Sequence, residues 1–217
     1  MIGSSFTGAG VAAFRGTRAL RLPAGAVQAL LCVASFLCCV PMAMPSSHLV
    51  AFCSDLGISP AQSAAMLSVL LGCAFVSRQF WGWLADRIGG LGTVLAGSAC
   101  QAFAIAAFSV TRNEAGLFAV SAAYGLGFSG IIPAYVVAIR ELFASSEASW
   151  RVPTLLFSGM SGMAFGSWFA GALYDYFHFY APAFAAGALF NLGNLAVVGF
   201  LVLRQTQAGR LVEATAA

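Results

Sequence analysis

The seven acids and ten arginines of this 217-residue chain are bunched, and the bunches leave six apolar runs between them. Each run is about twenty residues long, the length a helix needs to cross roughly 30 Å of hydrocarbon. They fall at 27–52, 60–85, 91–110, 116–139, 152–174 and 182–203. Only 8% of residues are charged and the mean hydropathy is +0.89, whereas soluble domains carry about a quarter charged residues. A soluble fold is excluded, and the lipid bilayer becomes the first expected partner. The runs are continuously apolar and lack the period-two alternation of a lipid-exposed barrel strand. Helices, which satisfy their own backbone in lipid, are therefore expected: an all-α integral membrane protein with six transmembrane helices spanning 25–204. Residues 1–24 and 205–217 read as cytoplasmic tails, the first poorly ordered.

Arginine sets the orientation. Lysine is absent, and six spans place both termini on one side. Arg15, Arg18, Arg21, Arg87, Arg140, Arg151, Arg204 and Arg210 fall on that side, against Arg112 opposite. By the positive-inside rule the termini are cytoplasmic, and the plasma membrane is the expected location. The first 24 residues lack an uninterrupted apolar core preceded by cations, so they do not read as a cleaved secretory signal. The six cysteines, at 32, 38, 39, 53, 73 and 100, lack metal-ligand spacing and read as small buried hydrophobes. Neither a metal nor a cofactor is expected, and nothing points to nucleic acid.

An internal repeat is legible. Gly82-Trp-Leu-Ala-Asp86 and Gly171-Ala-Leu-Tyr-Asp175 share the pattern G-x-L-x-D, and their separation also carries the first span's start onto the fourth's. Three spans followed by three implies that the second triplet crosses the membrane in the opposite sense. Inverted repeats of this kind build secondary transporters, with binding sites near the midplane where repeats meet.

Within the second span, Arg78 lies two helical turns, about 12 Å, before Asp86. An arginine at that depth is by default a functional candidate facing the bundle interior or a water-filled cavity, and its planar fork suits a carboxylate. The alternative is snorkelling toward the headgroups beside Trp81 and Trp83. No acidic residue lies within a span to pair with it. Asp86, Arg87, Arg140 and Glu141 gather at one membrane face, either as a charge cluster holding one conformation closed or as simple interfacial anchors. Ser59-Pro60-Ala61-Gln62 carries the features of a helix start. Gly159, Gly162, Gly166 and Gly171 crowd the fifth span, where small residues let backbones approach.

Two stretches, Gly127-Phe-Ser-Gly130 and Gly159-Met-Ser-Gly162, imitate the serine motif of intramembrane proteases. Such a serine needs a base within hydrogen-bond reach. The two histidines, His48 and His178, lie outside the helix in which rhomboid-like proteases carry theirs, so an enzyme is not expected.

The pattern Arg78, Gly82, Leu84, Asp86, Arg87, Gly89 resembles the loop signature of the major facilitator superfamily. The form is that of its monocarboxylate-transporter-like and oxalate/formate-antiporter-like members. Gly125–Pro133 with Arg140-Glu141-Leu-Phe143 resembles the family's tenth helix. Gly171–Asp175 followed by Phe179–Phe184 resembles the connection between its last two. The likeness covers about residues 25–204 and implies the C-terminal six-helix half of a twelve-helix fold. It also implies that Arg78 binds a substrate carboxylate. The chain departs from the family in carrying no basic residues directly after Gly90 and no second intramembrane cation between Val152 and Tyr174.

The expected function is secondary active transport of small organic anions, monocarboxylates first, by alternating access. The chain would act as a C-terminal half or truncated form, paired with an N-terminal six-helix half or a second copy. His48 is the candidate for proton coupling. The competing class is a non-transporting six-helix protein, inert or regulatory.

Overall fold

The computed structural model describes residues 20–216, with side chains described to residue 208. Among the described residues all regular structure is helical: α1 (Ala24–Asp55), α2 (Pro60–Val110), α3 (Glu114–Phe128), α4 (Ile131–Leu142), α5 (Ala148–Phe177) and α6 (Ala181–Ala216). One 3-10 turn, Ser145–Glu147, precedes α5. Among the described residues four helical stretches are long and apolar enough to cross a membrane: Ala24–Asp55, Pro60–Val110, Glu114–Leu142 and Ala181–Ala208. The sequence predicts six spans, and the difference has two sources. The 51 residues of α2 cover the predicted second and third spans in one continuous stretch, and the glycines, serines and tryptophans of α5 dilute its hydropathy.

A straight helix of that length would reach about 77 Å, more than twice the hydrocarbon thickness. It is not straight. Gly89 has φ 77° and ψ 168°, a conformation essentially confined to glycine. The neighbours of α2 show what happens there. Along its first arm, Gln62 meets Glu114, Leu70 meets Gly125 and Trp81 meets Gly130, so this arm runs parallel to α3–α4. Along its second arm, Gly90 meets Ala138, Gly97 meets Ile131 and Cys100 meets Gly127, in the opposite sense. The chain therefore folds back on itself at Gly89.

Ser59 caps the start of α2, accepting a hydrogen bond from the Gln62 N–H, with Pro60 in the first turn. On α1, successive contacts run Gln28 to Arg151, Ser35 to Gly159, Phe36 to Gly162, Val40 to Gly166 and Asp55 to Tyr174, so α1 and α5 are parallel. A Cβ at Gly162 or Gly166 would strike the carbonyl of Phe36 or Val40. Small residues thus bring two backbones into direct contact. Helix α6 runs antiparallel to α1, with Gly187 against Met44 and Gly193 against Leu37.

A buried polar layer ties the middle of the bundle together. The Tyr135 hydroxyl donates to Asn194 Oδ1 (2.7 Å), Asn194 Nδ2 donates to Ser98 Oγ (2.7 Å), and Asn191 Nδ2 donates to the Ser98 carbonyl (3.2 Å). Cys38 and Gln101 exchange hydrogen bonds beside it. Polar groups removed from water need such partners, and these link the α2 second arm, α4 and α6, with α1 joined through Cys38.

Candidate functional site

The helix that runs from Glu114 to Leu142 is interrupted at Ser129-Gly130, and the first arm of α2 grips the interruption. Pro133 has no N–H to continue the ladder, and Gly130 sits so close to Trp81 that a Cβ there would overlap the indole. Trp81 Nε1 donates to the Leu126 carbonyl at 2.7 Å, an acceptor the break would otherwise leave without its next-turn donor. One turn earlier Ser77 Oγ lies 2.6 Å from Ser129 Oγ and 3.4 Å from the Gly125 carbonyl. Ser77 and Trp81 therefore clip α2 to the break, and Arg78 lies between them.

Arg78 is exposed and lines a cleft of about 170 Å³. Trp81, Gly82, Ala85 and Asp86 form one wall with it, and Gly130, Pro133, Ala134 and Val137 form the other. Arg78 and Asp86 share this cleft, and neither forms an ion pair among the described residues. The opposite side of Trp81 borders a larger groove of about 920 Å³, lined by Phe80, Phe103, Ala107 and Leu126 among others. The indole is a partition between a charged cleft and an apolar groove.

Two of the four charges at the Gly89 turn meet other groups, and among the described residues none of the four pairs with another. Glu141 Oε2 accepts from the Gly90 N–H at 2.9 Å, capping the second arm of α2 at its positive end. Its carboxylate also lies against Gly89, 3.4 Å from where a Cβ would stand. The Arg87 guanidinium sits over the Trp83 ring, 4.2 Å from its centroid, a cation–π contact. Asp86 and Arg140 are exposed.

The remaining sequence candidates are elsewhere. His48 Nε2 lies 2.9 Å from the Ser167 carbonyl and Nδ1 lies 3.3 Å from the Tyr180 hydroxyl, so the ring bridges α1 to α5 and to the link that precedes α6, outside the cleft. Gly171 leaves room for it, with His48 Cε1 at 3.8 Å from a virtual Cβ. Asp175 is exposed near the end of α5. Of the two protease-like serines, Ser129 is paired with Ser77 and Ser161 donates to the Phe157 carbonyl. Neither touches a histidine. Among the described residues no cluster could hold a metal, and the six cysteines are free.

Sequence reasoning missed three things. The clip of Ser77 and Trp81 was signalled only by Gly127–Gly130 and Pro133, read as a motif rather than a break. The asparagine layer was signalled by Asn191 and Asn194 inside an apolar run. Arg151, counted with the loop arginines, is 4% exposed, pairs with Glu147 at 3.1 Å and lies between the rings of Phe143 (3.9 Å) and Trp150 (4.3 Å). Its four-residue spacing from Glu147 was the available clue.

Comparison with known proteins places this geometry. The sequence matches the family model described as Major Facilitator Superfamily over residues 4–216. It is similar to monocarboxylate transporter 13 of Bos taurus, 28% identical over 162 residues, covering 71% of this chain and 37% of that protein. The Rattus norvegicus protein of the same name matches at the same identity and coverage. The MFS-type transporter opdF of Penicillium oxalicum is 27% identical over 128 residues, covering 58% of this chain and 30% of its own. The matched region thus spans about a third of the length of these relatives.

Proposed function

Because the chain belongs to the Major Facilitator Superfamily, we propose that it serves secondary active transport of small organic anions, monocarboxylates first, by alternating access. It is an integral membrane protein of apolar helices. The observation that carries the reading is Arg78, an arginine within an apolar helix whose side chain lines an open cleft beside a helix break. Discontinuous helices and unpaired intramembrane cations are where transporters hold their cargo. The printed name of two relatives, monocarboxylate transporter, fits a single carboxylate on that guanidinium.

The same reading takes the chain as one six-helix half arranged as a 3+3 inverted repeat, with α2 counted as two spans and α3–α4 as one. Its support is the pairing of helices. The first span lies parallel to the fifth, and the second lies parallel to the fourth. Exchanging the triplets interchanges these two pairs, as an inverted repeat requires. Both termini then face the cytoplasm, in agreement with the arginine distribution. Gly82, Asp86, Arg87, Gly89, Arg140 and Glu141 form the cytoplasmic turn that reports the conformational state, Gly171 and Asp175 are its repeat counterpart, and His48 is the candidate for proton coupling. An N-terminal six-helix half or a second copy completes the transport path.

Uptake into vesicles tests this. Vesicles holding the chain together with an N-terminal six-helix half of a related transporter are expected to take up a small monocarboxylate saturably, and Arg78→Ala to reduce that uptake at least about tenfold. Equal uptake by the Arg78→Ala protein removes Arg78 from the binding site. Absence of uptake in every pairing favours the non-transporting alternative.

A further inference from the structure

We infer that the apolar groove beside Trp81 is a binding site for the acyl chain of a membrane lipid, with the indole as its end stop. The groove, about 920 Å³, is lined by both arms of α2 and by α3. Bulky exposed residues, Val76, Phe80, Phe103 and Leu126, stand around it, and small ones, Ala104, Ala107, Ala123 and Gly127, lie between them. Among the described residues no charged side chain lines it. Its polar groups are committed elsewhere: Ser77 Oγ pairs with Ser129 Oγ, and Trp81 Nε1 donates to the Leu126 carbonyl. The Cys100 thiol that remains is a weak hydrogen-bonding group, so a polar ligand would lose hydration here without a partner.

Depth in the bilayer decides the occupant. From the Gly89 turn to Val110 the second arm of α2 rises about 32 Å, one hydrocarbon thickness. Phe103 and Ala107 lie in the half nearer Val110, and Ala119 and Ala123 follow Glu114 into the same half. Trp81 meets α3 at Leu126, about 18 Å from Glu114 along the helix. One leaflet supplies about 15 Å of hydrocarbon, so a chain entering from the Val110 side ends at the indole. An apolar space of this size takes hydrocarbon rather than water. A helix of a second copy fits it poorly, because helices associate in lipid through small residues that let backbones approach. Here the bulky residues stand at the mouth and the small ones behind them, an order that admits a thin flexible chain. The same indole walls the Arg78 cleft, so the lipid tail backs the partition from the side opposite Arg78.

Photo-cross-linking tests this on the full, unmodified chain in nanodiscs of phosphatidylcholine that carries a diazirine near the end of one acyl chain, with labelled residues mapped by peptide mass spectrometry. Trp81 is buried and borders the groove, whereas Leu189 and Leu192 are exposed on α6 at a comparable depth. Trp81 and Ala123 are expected to carry label within about twofold of that on Leu189 and Leu192. Ala123→Phe, and Ala119→Phe in case the first disturbs packing, should fill the groove and cut the Trp81 label at least about threefold, with the Leu189 label unchanged. Label confined to Phe80 and Phe103, with Trp81 and Ala123 unlabelled, overturns the inference, as does a Trp81 label that neither substitution lowers. A Trp81 label that falls as more copies are loaded per nanodisc assigns the groove to a second copy and overturns it as well. The label reads lipid contact and not transport, so this inference stands or falls apart from the Arg78 assignment.

Discussion

Two helix pairs in this molecule run parallel, α1 with α5 and the first arm of α2 with α3–α4, yet only one of them is closed along its length. In the first, Gly162 and Gly166 bring backbone onto backbone, and Gly159 lies against the side chains of Ser35 and Cys39. In the second, Gly125 makes the same kind of approach to Leu70, but one and a half turns on Trp81 is driven between the helices at Gly130 and the cleft opens beyond it. The 89-residue offset of the G-x-L-x-D repeat carries Trp81 onto Ala170 and Arg78 onto Ser167. Ala170 is fully buried, and the Ser167 carbonyl faces His48. At that offset the closed seam carries an alanine and a serine where the open cleft carries a tryptophan and an arginine. A cleft can be opened by wedging a pair of parallel helices with one indole.

The contrast can be broken first at the wedge. Trp81→Ala removes a 5%-exposed indole and leaves the Leu126 carbonyl without its donor. The expected loss is about 3–5 kcal/mol, read as a lowered midpoint of denaturant-induced unfolding in detergent. At the seam, Gly166→Val forces a branched side chain against the Val40 carbonyl. Overpacking of this kind costs about 1–3 kcal/mol, and cross-linking between introduced cysteines on α1 and α5 should report a widened gap while the α2–α4 distance stays fixed. The smallest effect is expected at the turn: Glu141→Gln weakens a charge-assisted bond to the Gly90 N–H, and about 1 kcal/mol should be lost in the same unfolding measurement. If Trp81→Ala costs less than Gly166→Val, the wedge is not what holds the open pair.

Features that obey local rules were the ones legible in the sequence. Apolar run length, the Ser59–Gln62 cap and the crowding of small residues at 159–166 are statements about near neighbours, and the corresponding helix start and close contact are present. The chain's apolar character and its family likeness were legible for the same reason. What escaped is long-range. That Trp81 would satisfy Leu126, or Tyr135 reach Asn194, depends on how helices far apart in sequence are set against each other, and periodicity carries no such information. Arg151 escaped because a four-residue ion pair looks the same in sequence whether it lies on the surface or between two aromatic rings. Arg78 stood out because charge within an apolar run is costly wherever the helix is placed. Its shared cleft with Asp86 needed the opposite wall, supplied by α4.

The reversal at Gly89 takes almost no chain. Adding one residue there would turn everything that follows by about 100° around its axis. Gly90 would leave Ala138, Gly97 would leave Ile131, and Ser98 would rotate away from Asn191 and Asn194. The link between Phe177 and Ala181, by contrast, has exposed residues to absorb a change in length. Evolutionary insertions and deletions, and engineered tags, therefore have a strongly uneven map on this molecule, with the 86–90 turn as its most length-intolerant point.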